Sequence, residues 1–139
     1  MKKSYVLDTS AIFTLTKEES GSDVVEEILV GAKKRQNIVY LSFISLMELY
    51  YVTWQSQNEQ SAKELIVLMQ SLSIEKVHSN DRLMLIAGRL KANYQLSVAD
   101  AIIAATAIEK EAYLVHKDPE FEAISQSVLT LPLPYKKEK

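Results

Sequence analysis

The sequence predicts an α/β protein, a three-layer α/β/α sandwich around a mainly parallel sheet of about five strands. Three observations carry that expectation. Short β-leaning runs alternate with segments of helical periodicity along the chain. The hydrophobic fraction, 47% of 139 residues, is enough to build one sizeable core. Only three Gly and three Pro are present, with no repeat or low-complexity tract, so no linker marks a boundary. A single domain over residues 1–139 is expected, with a frayed tail, "PLPYKKEK", from about residue 134.

The elements follow in order. "SYVLD" (4–8) reads as the first strand, and Asp8 as the N-cap of a helix opened by "TSAIF". Residues 22–35 form an amphipathic helix with Val24, Val25, Ile28 and Leu29 inward, while Lys33, Lys34 and Arg35 suit its carboxyl end. "NIVYLS" (37–42) is a second strand. Two helices, 45–57 and 59–72, follow with a break at "QNE". "SIEKV" (73–77) is a third strand, leading to a second helical pair over 80–94 and 97–111, separated near "NYQLS". "AYLVH" (112–116) is a fourth strand, Asp118-Pro119 opens a short helix, and "SVLTL" (127–131) is the last strand.

Composition narrows the function classes. Sixteen basic and 18 acidic residues give a net charge of −2, so any contact with nucleic acid must be local rather than a property of the whole surface. The absence of cysteine excludes disulfides, thiolate metal sites and cysteine nucleophiles, and fits a reducing cytosol. "MKKSYVLDTSA" meets Asp8 before a signal-peptide apolar segment can develop, and no apolar run approaches the roughly 20 residues of a membrane span. A cytoplasmic protein with no membrane partner is expected.

The segment "SVADAIIAATA" (97–107) sets an acid, Asp100, inside what otherwise reads as buried helix. Burying an isolated carboxylate costs several kcal/mol, so something must compensate. Each of four acids, taken alone, is explained as a helix cap. Asp8 follows a strand, Glu48 stands three residues after Ser45, Asp100 three after Ser97, and Asp118 precedes Pro119. In a parallel sheet, however, helices that follow strands start at the carboxyl edge, where ligands bind, so Asp8, Glu48 and Asp118 should share one rim. Asp100 follows a helix and escapes this counting, although Ile103, Ala104 and Ala107 on its face would let its helix lie close to the sheet. Several carboxylates at one place repel one another, and a divalent cation relieves that repulsion. All-oxygen ligation without cysteine or paired histidines selects Mg²⁺ or Mn²⁺, and phosphodiester hydrolysis is the chemistry such a site suits.

"YVLDTSAI", "SLMELYYV", "SVADAIIAATA" and "LVHKDPEF" resemble, in order, the four motifs of PIN-domain nucleases, and the resemblance spans nearly the whole chain. It implies a PIN-like sandwich in which Asp8, Glu48, Asp100 and Asp118 are the catalytic acids and hold one or two Mg²⁺ or Mn²⁺ ions for cleavage of RNA. Thr9 and Ser10 correspond to the family's small hydroxyl residues beside the first aspartate. Length and simplicity most resemble VapC-like toxins of toxin–antitoxin pairs, which implies a homodimer and a small antitoxin partner that covers the site. One departure is His116, where the family often has threonine or serine two residues before the fourth acid; it could carry a proton, touch phosphate or simply be hydrogen-bonded structure.

Lesser signals concern the substrate. Lys33, Lys34 and Arg35, or Arg82, Arg89 and Lys91, are candidate RNA contacts, and Tyr50, Tyr51 and Trp54 could stack on a base or serve as core or interface. The apolar helix pair from 45 to 71 is the expected dimer or antitoxin surface. Alternatives are a noncatalytic PIN-like partner-binding module whose acids are only caps, and a PIN-type nuclease with a housekeeping RNA or DNA substrate. Phosphoryl transfer through an aspartyl intermediate at Asp8 is disfavoured, because Ser10 stands where haloacid-dehalogenase-like phosphatases need a second aspartate.

Overall fold

The structure is a computed structural model that describes residues 2–136. Its elements are β1 (Lys3–Leu7), α1 (Thr9–Thr16), α2 (Ser22–Lys33), β2 (Asn37–Ser42), α3 (Phe43–Ser56), α4 (Glu59–Ser71), β3 (Glu75–Val77), α5 (Asp81–Asn93), α6 (Val98–Lys110), β4 (Tyr113–His116), a 3-10 helix (Pro119–Ile124) and β5 (Thr130–Pro132). The five strands form one sheet in the order β3-β2-β1-β4-β5, and every pairing is parallel. The order runs outward from β1 in one direction through β2 and β3, then in the other through β4 and β5. That reversal opens a crevice at the carboxyl ends of β1 and β4.

Alternation along the strands builds the two cores. Val6 and Leu114 point into a cluster with Leu83, Ile103, Ala104 and Phe121, while Leu7 and Val115 point the other way, against Ile12, Val25, Leu41 and Leu49. Helices therefore cover both faces, as the expected α/β/α layering requires. Full burial of a side chain such as Leu7 or Leu114 contributes about 2 kcal/mol. Ala101, Ala104, Ala105 and Ala107 are all buried on α6, which seats that helix closely against β1, β2 and β4.

Three expectations need correction. The last strand is Thr130–Pro132 rather than 127–131, because Ser127 and Val128 both donate backbone hydrogen bonds to the Ile124 carbonyl and so close the preceding turn. The short helix expected at Asp118-Pro119 is present, as a 3-10 helix. The helix expected from Ser45 starts at Phe43, capped by Ser42 at the end of β2, whose hydroxyl accepts from the Ile44 N–H at 3.3 Å. Ser45 and Glu48 thus lie inside α3 and form no capping box. The basic run Lys33–Arg35 immediately precedes β2, which places it at the amino edge of the sheet, opposite the crevice, and removes it as a contact to anything bound there. Of the tail expected to fray, Tyr135 donates to Glu122 at 3.1 Å and Lys136 lies 3.1 Å from Glu19, while residues 137–139 lie outside the described residues. Among the described residues, no helix is long and apolar enough to cross a membrane.

Candidate active site

Three acids stand at the carboxyl edge of the parallel sheet. Asp8 directly follows β1, caps α1 by accepting from the Ser10 N–H at 3.1 Å, and donates its own N–H to the Val115 carbonyl at 2.9 Å. It is tied to β4 as well as to its own helix. Asp118 follows β4 and caps the 3-10 helix by accepting from the Glu120 N–H at 3.0 Å, with Pro119 supplying the N1 residue that needs no partner. Glu48 comes from the second turn of α3, and the Thr9 hydroxyl donates to its Oε1 at 2.7 Å. That bond joins the start of α1 to α3 across the crevice.

Asp100 completes the group. The Ser97 hydroxyl accepts from its N–H at 3.1 Å, so the expected N-cap of α6 is present, with Asp100 in the first turn. Its side chain reaches the same crevice: carboxylate oxygens of Asp100, Asp118 and Glu120 lie within 4.8 Å of one another. Glu120 was not among the expected site residues, although "DPEF" displays it; the role of Asp118 as a cap obscures a second acid on the same short helix.

Electrostatics reflect the crowding. Burial pushes the Asp8 carboxyl up to about 7, opposed by the Ser10 hydrogen bond and reinforced by the charges of Asp100 and Glu48. Burial also pushes Asp100 up to about 6, with Asp118 the largest neighbouring charge, Ser97 opposing, and Glu48 and Glu120 adding to the rise. Asp8 is 4% exposed, and the charged groups that act on it are themselves acids. Among the described residues the group spaced to hold an ion is Asp100, Asp118 and Glu120, with Asp8 and Glu48 outside it, and such an all-carboxylate donor set suits a hard divalent cation.

The hydroxyl residues hold this geometry. Ser10 donates its hydroxyl to Asp8 and accepts from the Lys117 N–H at 2.9 Å, so one side chain links the loops that follow β1 and β4. Ser10→Ala is expected to strand that N–H and cost about 1–3 kcal/mol. Thermal unfolding should show a fall of roughly 5 °C; an unchanged midpoint would mean that other contacts hold the two loops. His116 is 1% exposed, and its Nδ1 accepts from the Asp118 N–H at 3.1 Å, which leaves its proton on Nε2. Its ring packs edge-on to Phe121, with centroids 5.0 Å apart, and burial holds its pKa below the usual histidine value against the opposing charge of Asp118. The bond to the Asp118 N–H holds the backbone from which Asp118 projects.

The remaining candidates make contacts elsewhere. Lys91 donates to the Leu96 carbonyl at 2.7 Å, bracing the α5–α6 turn. Tyr50 and Trp54 meet edge to face with centroids 5.6 Å apart, and Tyr51 and Trp54 are exposed on α3.

Comparison with known proteins places this architecture. No curated protein matches the sequence. Among solved structures, the chain is similar to one in the complex VapBC2 from Rickettsia felis bound to a DNA fragment from their promoter, with TM-score 0.75 and 20% identity over 94% of this chain and 99% of that one. It is similar to VapC20 from Mycobacterium tuberculosis, a sarcin-ricin loop cleaving toxin, with TM-score 0.71 and 18% identity over 94% and 99%. VapBC-5 from the same organism, a member of the VapBC family of toxin-antitoxin systems, gives 0.64 and 16% over 94% and 97%. At these identities the likeness speaks for the fold. The sequence itself matches the PIN domain family over residues 5–126, nearly the whole span from β1 to the turn before β5, and the chain therefore belongs to that family.

Proposed function

We propose that the protein is a metal-dependent endoribonuclease, the toxin of a toxin–antitoxin pair, with Asp8, Glu48, Asp100 and Asp118 as its catalytic acids. The observation that carries this reading is the convergence on Asp100. Carboxylate oxygens of Asp100, on α6, lie within 4.8 Å of those of Asp118 and Glu120, at the start of the 3-10 helix, and the charges of Asp100 and of Glu48, on α3, both act on the buried Asp8. Caps alone require no such meeting. PIN-family membership supports nuclease chemistry in general, and the sarcin-ricin loop cleaving toxin among the similar structures supports RNA as substrate.

One or two Mg²⁺ or Mn²⁺ ions would be held by Asp8, Glu48, Asp100 and Asp118, with Glu120 beside them. Such an ion supplies Lewis acidity toward water and phosphate oxygens and cancels the mutual repulsion of the acids. The chain's own residues set the geometry: Thr9 orients Glu48, Ser10 orients Asp8, and His116 fixes the backbone at Asp118.

Partner surfaces accompany this reading. Met47, Tyr51, Trp54, Val67 and Leu68 expose apolar area on α3 and α4, and Met84, Leu85 and Val98 do so on α5 and α6. Two such faces suit an antitoxin and a second copy of the chain, and the VapBC complexes among the similar structures support the antitoxin. A cytoplasmic location goes with an RNA target.

The test is direct. Purified protein with Mg²⁺ or Mn²⁺ should cut a circular single-stranded RNA, which has no ends for an exonuclease, and EDTA should stop the reaction. A DNA circle of the same sequence should survive; preferential cutting of the DNA would support the DNA-nuclease alternative. Intact RNA under both metals would leave the noncatalytic partner-binding module.

A further inference from the structure

Beside the carboxylates lies a cleft of about 360 Å³ that shares Ser10 and Asp118 with them and therefore opens from the same crevice. Its charge is different. Lys17, Lys117 and Lys136 line it, against Glu19 and, on the shared side, Asp118. Glu19 lies 3.6 Å from Lys117 and 3.1 Å from Lys136, so one carboxylate holds two ammonium groups in place and cannot neutralise both. The Lys117 side chain is only 5% exposed, which makes it a fixed cation in the wall, whereas Lys136 is 73% exposed and Lys17 lies over the Phe13 ring at 4.7 Å. Phe13 and Tyr135 add aromatic surface to the same walls.

Resting on the ribonuclease reading, we propose that this cleft is a backbone subsite: Lys17, Lys117 and Lys136 seat a phosphate of the RNA next to the one cleaved. A chain of net charge −2 with an acidic centre repels a polyanion, and binding needs cations close to that centre. The compact basic run at Lys33–Arg35 sits at the opposite edge of the sheet and cannot serve. The lysine cleft adjoins Asp118 directly, on the side where the 3-10 helix leaves β4. Ammonium groups contact phosphate without reading bases, so the subsite contributes affinity rather than sequence choice.

The experiment uses the full chain, Mg²⁺ and two single-stranded RNA substrates of unrelated sequence. The double variant Lys17→Gln/Lys136→Gln leaves the buried Lys117 in place, and its folding is checked by thermal unfolding. Its KM should rise roughly tenfold on both substrates with kcat within about twofold, and log KM should depend less steeply on log salt, by about 0.7 for each phosphate that is no longer neutralised. Lys63→Gln, an exposed lysine on α4 paired with Glu59, removes the same kind of charge and should keep the wild-type KM. Wild-type cleavage with an unchanged KM and salt slope in the double variant would overturn the subsite and leave the ribonuclease reading standing. Absence of cleavage by the wild type removes both.

Discussion

Asp100→Asn is expected to lose RNA cleavage by about 10³-fold, equivalent to roughly 4 kcal/mol of transition-state stabilisation, while the metal-free protein becomes at least as stable as the wild type. The two halves of this result have one cause. Asp100 sits where α6 begins, half-buried, among Asp118, Glu48 and Glu120, and its carboxyl is raised to about 6. At neutral pH it is held ionised in a place that resists the charge, a cost the unfolded chain does not bear. Asparagine keeps the shape and removes that cost, so the melting temperature without metal should hold or rise by a few degrees, about 3 °C. A purely structural cap predicts the opposite pairing: activity intact and a small loss of stability. Single-turnover cleavage and calorimetry on the same preparation separate the two, and full activity in the variant would falsify the assignment of Asp100.

Adding Mn²⁺ should raise the melting temperature, and the size of the rise should depend steeply on pH. At a metal concentration 100 times its dissociation constant the gain is about 2.7 kcal/mol, or roughly 10 °C for a chain of this size. The sign follows from the two raised carboxyls. Asp8 at about 7 and Asp100 at about 6 both hold protons more tightly when folded than their ordinary value of 3.8. Between about pH 4 and 7 the native state therefore binds more protons than the unfolded one, and the metal-free protein loses stability from these groups as pH rises. A cation competes with those same protons, so its affinity grows over that interval. The expected pattern is a small Mn²⁺ effect near pH 5, a large one near pH 8, and loss of most of it in Asp100→Asn. A melting temperature indifferent to Mn²⁺ at pH 8 would leave four acids with no shared ligand.

Some of this architecture is plain in the sequence, and the rest is hidden for physical reasons. Strands such as "NIVYLS" and helices such as the pair at 80–94 and 97–111 are legible because period-2 and period-3.6 burial leaves a direct trace in residue type. Asp8 and Asp118 are legible as a rim, since parallel topology fixes which end of a strand they occupy. Glu48 is legible on that rim for the same reason, since α3 directly follows β2, but not as part of a cap: Ser42, not Ser45, starts α3, so Glu48 projects from the second turn, where Thr9 donates to it. The position of Asp100 requires the packing of α6 on the sheet, which alanines hint at but cannot aim. Ser10's bridge to Lys117 and the lysine cleft joining residues 17, 117 and 136 bring together chain segments about a hundred residues apart, and no local pattern announces them.

The central position of β1 has a consequence for synthesis. This strand emerges from the ribosome well before its neighbour β4, so one flank of β1 stays unpaired while the residues between the two strands are made. Until residues 113–118 emerge there is no second wall, and a partial polypeptide carries Asp8, Glu48 and Asp100 without the frame that brings Asp118 beside them. The crevice between the carboxyl ends of these two strands therefore exists only after β4 has paired with β1.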